Sequence, residues 1–114
     1  MIDDLLEKIS KNNDVESCGI FDSKGLLIVS SGNRTNLDKI SNSMHRIIDE
    51  NSKQFLSVGV EPINCITLIG ENGISLFWPL KDSSSLSLNV KHNTNLGKIR
   101  KEVNDLIPRI IDLI

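Results

Sequence analysis

The best-defined local unit of this chain is a pair of apolar runs, Ile63 to Ile69 and Ile74 to Leu80, separated by Asn72-Gly73. Asn-Gly is the strongest short-range hairpin signal, because both residues tolerate the positive φ of a type I′ turn. Such a turn pairs Glu71 with Ile74 and fixes the register outward from there. Ile69 then lies opposite Leu76, Thr67 opposite Trp78, and Cys65 opposite Leu80. All three pairs share one face, so turn chemistry and side-chain pattern agree. A further strand follows closely, with Leu86, Leu88 and Val90 alternating with Ser87, Asn89 and Lys91. That alternation has the period of a half-buried strand. The chain is therefore committed to an antiparallel sheet in its second half.

Helical spacing appears in three other places. Ile2, Leu5, Leu6 and Ile9 form one stripe, with Asp3 and Asp4 at its start and Lys8 and Lys11 at its end, the order that the helix dipole favours. Asn12-Asn13 stops it, and Val15 to Phe21 reads as a strand. Asp22-Ser23-Lys24-Gly25 is a tight turn with Gly at the position of positive φ. Leu26 to Ser31 returns as a second strand whose consecutive apolar residues predict cover on both faces. Thr35 and Asp38 have capping-box spacing, and Leu37, Ile40, Met44, Ile47 and Ile48 then form the stripe of a second helix running to about Ser52. Phe55 to Glu61 reads as a loop or a short extension of the next strand. Asn93, Thr94 and Asn95 offer caps for a last helix whose face is Ile99, Val103, Leu106, Ile107, Ile110 and Ile114. Pro108 inside that pattern predicts a kink or a break. Gly97 in its first turn costs ~1 kcal/mol against Ala, which predicts a close approach of another backbone.

At 114 residues the chain is expected to be one domain, 1–114, with a core that needs no metal or disulfide. A net charge of −2 gives no bulk attraction to nucleic acid or an anionic membrane. No apolar run approaches the ~20 residues of a membrane span, so no direct membrane insertion is expected. Met1-Ile2-Asp3-Asp4 lacks a basic leader and a myristoylation glycine. A cytoplasmic protein is expected, in which the Asn33-Arg34-Thr35 sequon is a chance match.

The catalytic inventory is thin. Two histidines and two cysteines stand far apart in sequence, with no second ligand at metal spacing. Neither a GxGxxG run nor a P-loop is present, so no cofactor, no metal and no nucleotide of its own are expected. Asp3/Asp4 and Asp49/Glu50 read as solvated helical surface. Lys91, His92, Lys98, Arg100 and Lys101 gather around the start of the last helix, where a phosphate or an acidic partner fits. Without tyrosine or interleaved aromatics they do not make a nucleic-acid surface. The expectation is a binding protein and not an enzyme.

The order helix, two strands, helix, three strands, helix, the Asn-Gly hairpin, and the opening Asn95-Leu96-Gly97-Lys98-Ile99-Arg100 together resemble the roadblock family, the dynein light chain roadblock type, over nearly the whole chain. The resemblance implies an α+β fold, α-β-β-α-β-β-β-α, with a five-stranded antiparallel sheet of order 2-1-5-4-3. One helix covers one face and two cover the other. Three ladder spacings, ~14 Å, then separate the strands of Cys18 and Cys65, beyond the ~7 Å reach of a disulfide, so both cysteines are expected free. Family members pair through the second helix and third strand, as homodimers or with a paralogous roadblock protein. They regulate or scaffold small Ras-like GTPases, or serve as dynein light chains. With no extension at either end, membrane anchors and tail-borne recruitment motifs are not expected here. A small-molecule sensory module and a passive heterodimer subunit remain as alternatives.

Particular residues follow from that resemblance. The third strand is apolar and carries neither Lys nor interior Pro to protect an edge. Ile63, Cys65, Ile66, Thr67 and Leu68, with Ile47 on the second helix, are the expected dimer interface. Small and amide side chains beside the second helix's stripe allow a second copy to approach. Ser41, Asn42, His45, Arg46 and Asp49 lie off that stripe and are the expected partner platform. Arg46 has the reach of an arginine finger, but a long exposed helix is a poor place from which to enter a nucleotide pocket.

Overall fold

The computed structural model describes residues 1–32 and 37–114. Helix α1 (Ile2–Ser10) leads into strands β1 (Val15–Phe21) and β2 (Leu27–Gly32). Helix α2 (Leu37–Glu50) and a short α3 (Ser52–Ser57) precede β3 (Ile66–Gly70), β4 (Gly73–Pro79) and β5 (Ser85–Val90). One 3₁₀ turn (Lys81–Ser83) joins β4 to β5, and α4 (Leu96–Leu113) follows. All pairings are antiparallel, and the sheet order is β2-β1-β5-β4-β3, as expected. The Thr35 cap and the Asn33–Thr35 sequon lie outside the described residues.

The two faces of the sheet differ in kind. Towards α1 and α4 the strands present Cys18, Ile20, Ile74, Leu76, Trp78, Leu86, Leu88 and Val90, all buried. Leu5, Leu6 and Ile9 of α1 and Ile99, Val103 and Ile110 of α4 close over them. Each such side chain contributes ~1.5–3 kcal/mol by leaving water, so this layer carries most of the apolar stabilisation. Towards α2 the same strands present Ser17 and Gly19, Ser85, Ser87 and Asn89, and Ser75 and Phe77, alternating with the first set. There Ser75 donates to the Asn89 side-chain oxygen at 2.8 Å, and the Asn89 amide donates to Ser17 Oγ at 3.2 Å, a polar ladder across three strands. Among the described residues, only Phe21, Leu37, Met44 and Phe77 supply large buried apolar groups outside the first layer.

Several expectations are corrected. The hairpin pairs Gly70 with Gly73 and Ile69 with Ile74, two residues away from the expected register. Glu71 and Asn72 form the turn, and neither they nor Gly73 has positive φ, so the turn is not type I′. Because the offset is even, every side chain keeps its expected face. Residues 52–57 are helical, not a loop or strand extension. β2 is not covered on both faces, because it is an edge strand and Ile28 is 49% exposed. Phe21 pairs with Leu27 but Ile20 with Val29, which leaves Ile28 as the extra residue of a bulge. α4 runs unbroken through Pro108. Gly97 sits in the open, since a Cβ there would meet only Asn95 Oδ1 at 3.6 Å, so no backbone approaches it. Its neighbour Asn95 is the cap, accepting from the Lys98 N–H at 3.0 Å.

Candidate interaction surface

α2 is rotated relative to its apolar stripe. Its buried line is Leu37, Ser41 and Met44, while Ile40, Ile47 and Ile48 are only half-buried. Ser41 faces the sheet, with its Oγ 3.4 Å from Ser85 Oγ, so it does not belong to the outward surface. His45 is half-buried beside it. Its Nε2 lies 3.2 Å from the same Ser85 Oγ, and its ring meets Phe77 edge-on at 5.1 Å and 83°. The pairing is not that of a nucleophile and its base, because Ser85 is fully buried and no substrate can reach it. Asn42, Arg46 and Asp49 are exposed and form the outward line of the helix.

The expected interface residues fall on both faces of one edge. β3 has a single neighbour, β4, so its outer backbone groups face away from the sheet. Its ladder to β4 is regular over all five residues, with no bulge. Leu68 (50% exposed) points to the α2 side with the half-buried Ile66. Cys65 and Thr67 are half-buried on the α4 side, where Arg100 donates to Thr67 Oγ1 at 2.8 Å. Ile63 is half-buried just ahead of the strand. A cleft of about 400 Å³ separates α2 from the edge, lined by Lys39, Ile40, Ser43, Met44, Leu68 and Ser75. Ile47, two turns on from Ile40, continues that side of α2.

Sequence reasoning gave no role to the exposed apolar residues between α2 and β3 in sequence: Leu56 and Val58 are each 69% exposed and Val60 54%. Ile69, at the end of the expected edge, is 69% exposed. Both cysteines are free, as expected. Burial pushes the Cys18 thiol up from its ordinary value, against hydrogen bonds from Ser10 and the Ser31 backbone that lower it. No cluster of metal-ligating side chains occurs among the described residues. No helix among them is long and apolar enough to cross a membrane.

A sheet of this order, with α1 and α4 on one face and α2 on the other, is the roadblock fold. The chain superposes on MglB of Myxococcus xanthus with a TM-score of 0.82 at 14% identity, covering 98% of this chain and 93% of that one. A Roadblock/LC7 domain from Streptomyces avermitilis matches with a TM-score of 0.74 at 10% identity, covering 96% and 91%. A LokiProfilin solved in complex with rabbit actin matches with a TM-score of 0.60 at 15% identity, covering 99% and 96%. No family sequence model matches the chain, and a search among curated proteins finds no relative.

Proposed function

We propose that residues 1–114 form one roadblock-type domain that works in the cytoplasm as a non-catalytic, dimeric regulator or scaffold of a small Ras-like GTPase. The observation that carries this reading is the bulge-free β3 edge, which leaves Leu68 exposed beside an apolar cleft against α2. Such an edge is a template for another strand. Two copies related by a two-fold axis pair β3 with β3 and set α2 beside α2, with Ile47, Ile63, Cys65, Ile66, Thr67 and Leu68 at the contact.

The outward residues of the two α2 helices then form one surface, offered by Asn42, Arg46 and Asp49 with His45 beneath them. It needs no acid, base or nucleophile. A surface that binds one nucleotide state of the GTPase more tightly than the other shifts the partner between them. The higher TM-scores to MglB and the Roadblock/LC7 domain support this over an actin-binding role of the kind the LokiProfilin complex with rabbit actin represents. The test is a pull-down against co-encoded small GTPases loaded with GDP or a GTP analogue, with actin as a control ligand. Binding that prefers one nucleotide state and weakens in Arg46→Glu and Asp49→Arg is the expected result. Binding to no GTPase would favour a passive heterodimer subunit or a sensory module.

A further inference from the structure

A cleft of about 720 Å³ lies on the side of the sheet covered by α1 and α4, away from α2. The end of α1 and the turn after it meet the start of α4 there, and Lys8, Lys11 and Lys98 converge on it. All three are exposed. The ion pairs among the described residues are Met1 with Asp4 and Lys101 with Asp105, so none of the three lysines has a carboxylate partner. Asp14 and Glu102 also line the cleft, but Glu102 accepts from the Asn12 amide at 3.5 Å and pairs with no lysine. The Lys91 N–H donates to the Asp14 carbonyl at 2.9 Å, and Lys91 and His92 are themselves exposed. On a chain of net charge −2 the three lysines outnumber the two carboxylates of this lining.

We propose that this cleft docks an extended acidic segment of a partner protein, at a site separate from α2 and β3. Its volume falls within the ~300–1,000 Å³ of clefts that hold ligands. Three separate ammonium groups suit carboxylates spaced along a chain, because lysine acts as a point charge. A segment can also turn its own donors towards Asp14 and Glu102, and its backbone towards the Asn13 amide. A dense polyphosphate cannot avoid those two carboxylates. Arg100, the arginine of this stretch, commits its guanidinium to Thr67 instead of the cleft. Flat membranes and nucleic acid fit the recessed, aromatic-free lining less well.

The proposal does not depend on the GTPase reading, and its test uses the intact chain. An acetylated, fluorescently labelled peptide alternating Glu and Ser is titrated by anisotropy at low salt, with amide chemical shifts mapped by NMR. Shifts should concentrate at residues 8–14 and 95–102. Lys8→Gln, Lys11→Gln and Lys98→Gln together should weaken binding about tenfold, a loss on the scale of three exposed ion pairs. The control triple Lys24→Gln, Lys39→Gln and Lys53→Gln should leave it unchanged, and both variants should unfold at the parent temperature. Equal loss in the control, scattered shifts, or no binding at millimolar peptide would overturn the proposal. So would tighter binding to inorganic phosphate, phosphatidylserine vesicles or single-stranded DNA than to the peptide.

Discussion

Ser87 is fully buried between Gly19 of β1 and Phe77 of β4, and its hydroxyl has no partner among the described residues. An orphaned buried hydroxyl costs ~1–3 kcal/mol relative to a satisfied one. Ser87→Ala is therefore expected to raise stability by about 1 kcal/mol, read as a higher urea midpoint at unchanged slope. Gly32 predicts the opposite sign. Its φ is +84°, and a Cβ there would sit 2.3 Å from the Glu16 carbonyl oxygen and 2.9 Å from Ser17 Cα. Both are backbone atoms, so neither can rotate away. Gly32→Ala should cost about 2–3 kcal/mol in the same assay. Ser41 shows why such sites are hard to see in a sequence. It lies four residues after Leu37 and three before Met44, so the spacing places it on the buried line, but its polarity takes it off any hydrophobic pattern.

Among elements, β3 makes the sharpest claim. Leu68→Lys puts a charge on the exposed side of the edge strand and leaves the buried layer between the sheet and α4 untouched. Light scattering at micromolar concentration should show the parent chain as a dimer and this variant as largely monomer, with unchanged circular dichroism. A parent chain that scatters as a monomer would remove the dimer from the proposed function. The same strand marks the limit of sequence reading. Its face was legible from its pairing with β4, but a shift of two residues preserves every face, so the side-chain pattern cannot distinguish the two registers. The turn had to decide, and Asn-Gly pointed to residues 72–73 where the chain turns at 71–72. α3 was illegible for another reason. Six residues without a stripe cannot bury a face of their own, and nothing in SKQFLS separates a helical turn from a loop.

Across the whole molecule, the aliphatic layer under α1 and α4 and the serine-rich layer under α2 divide the sheet into a strongly held side and a weakly held one. Amide hydrogen exchange should show it, with α2 opening at lower free energy than the centre of α4. Equal protection in the two helices would mean that the polar ladder holds α2 as firmly as aliphatic packing holds α4. The layer plan itself was readable, since Leu86, Leu88 and Val90 alternate with Ser87 and Asn89, whereas the lysine cleft was not. Lys98 is distant in sequence from Lys8 and Lys11 and meets them only because α1 and α4 share a face. The bulge at Ile28 bears on how many copies can join. Were both rims of the sheet regular, β3 of one copy could add to β2 of the next, a head-to-tail contact that never closes and grows into a fibre. With the β2 ladder interrupted, β3 is the one regular rim of the sheet among the described residues, and the proposed two-fold pairing would use it in both copies. In that proposed dimer strand addition would end at two chains, and the single extra isoleucine would serve as a safeguard against runaway polymerisation.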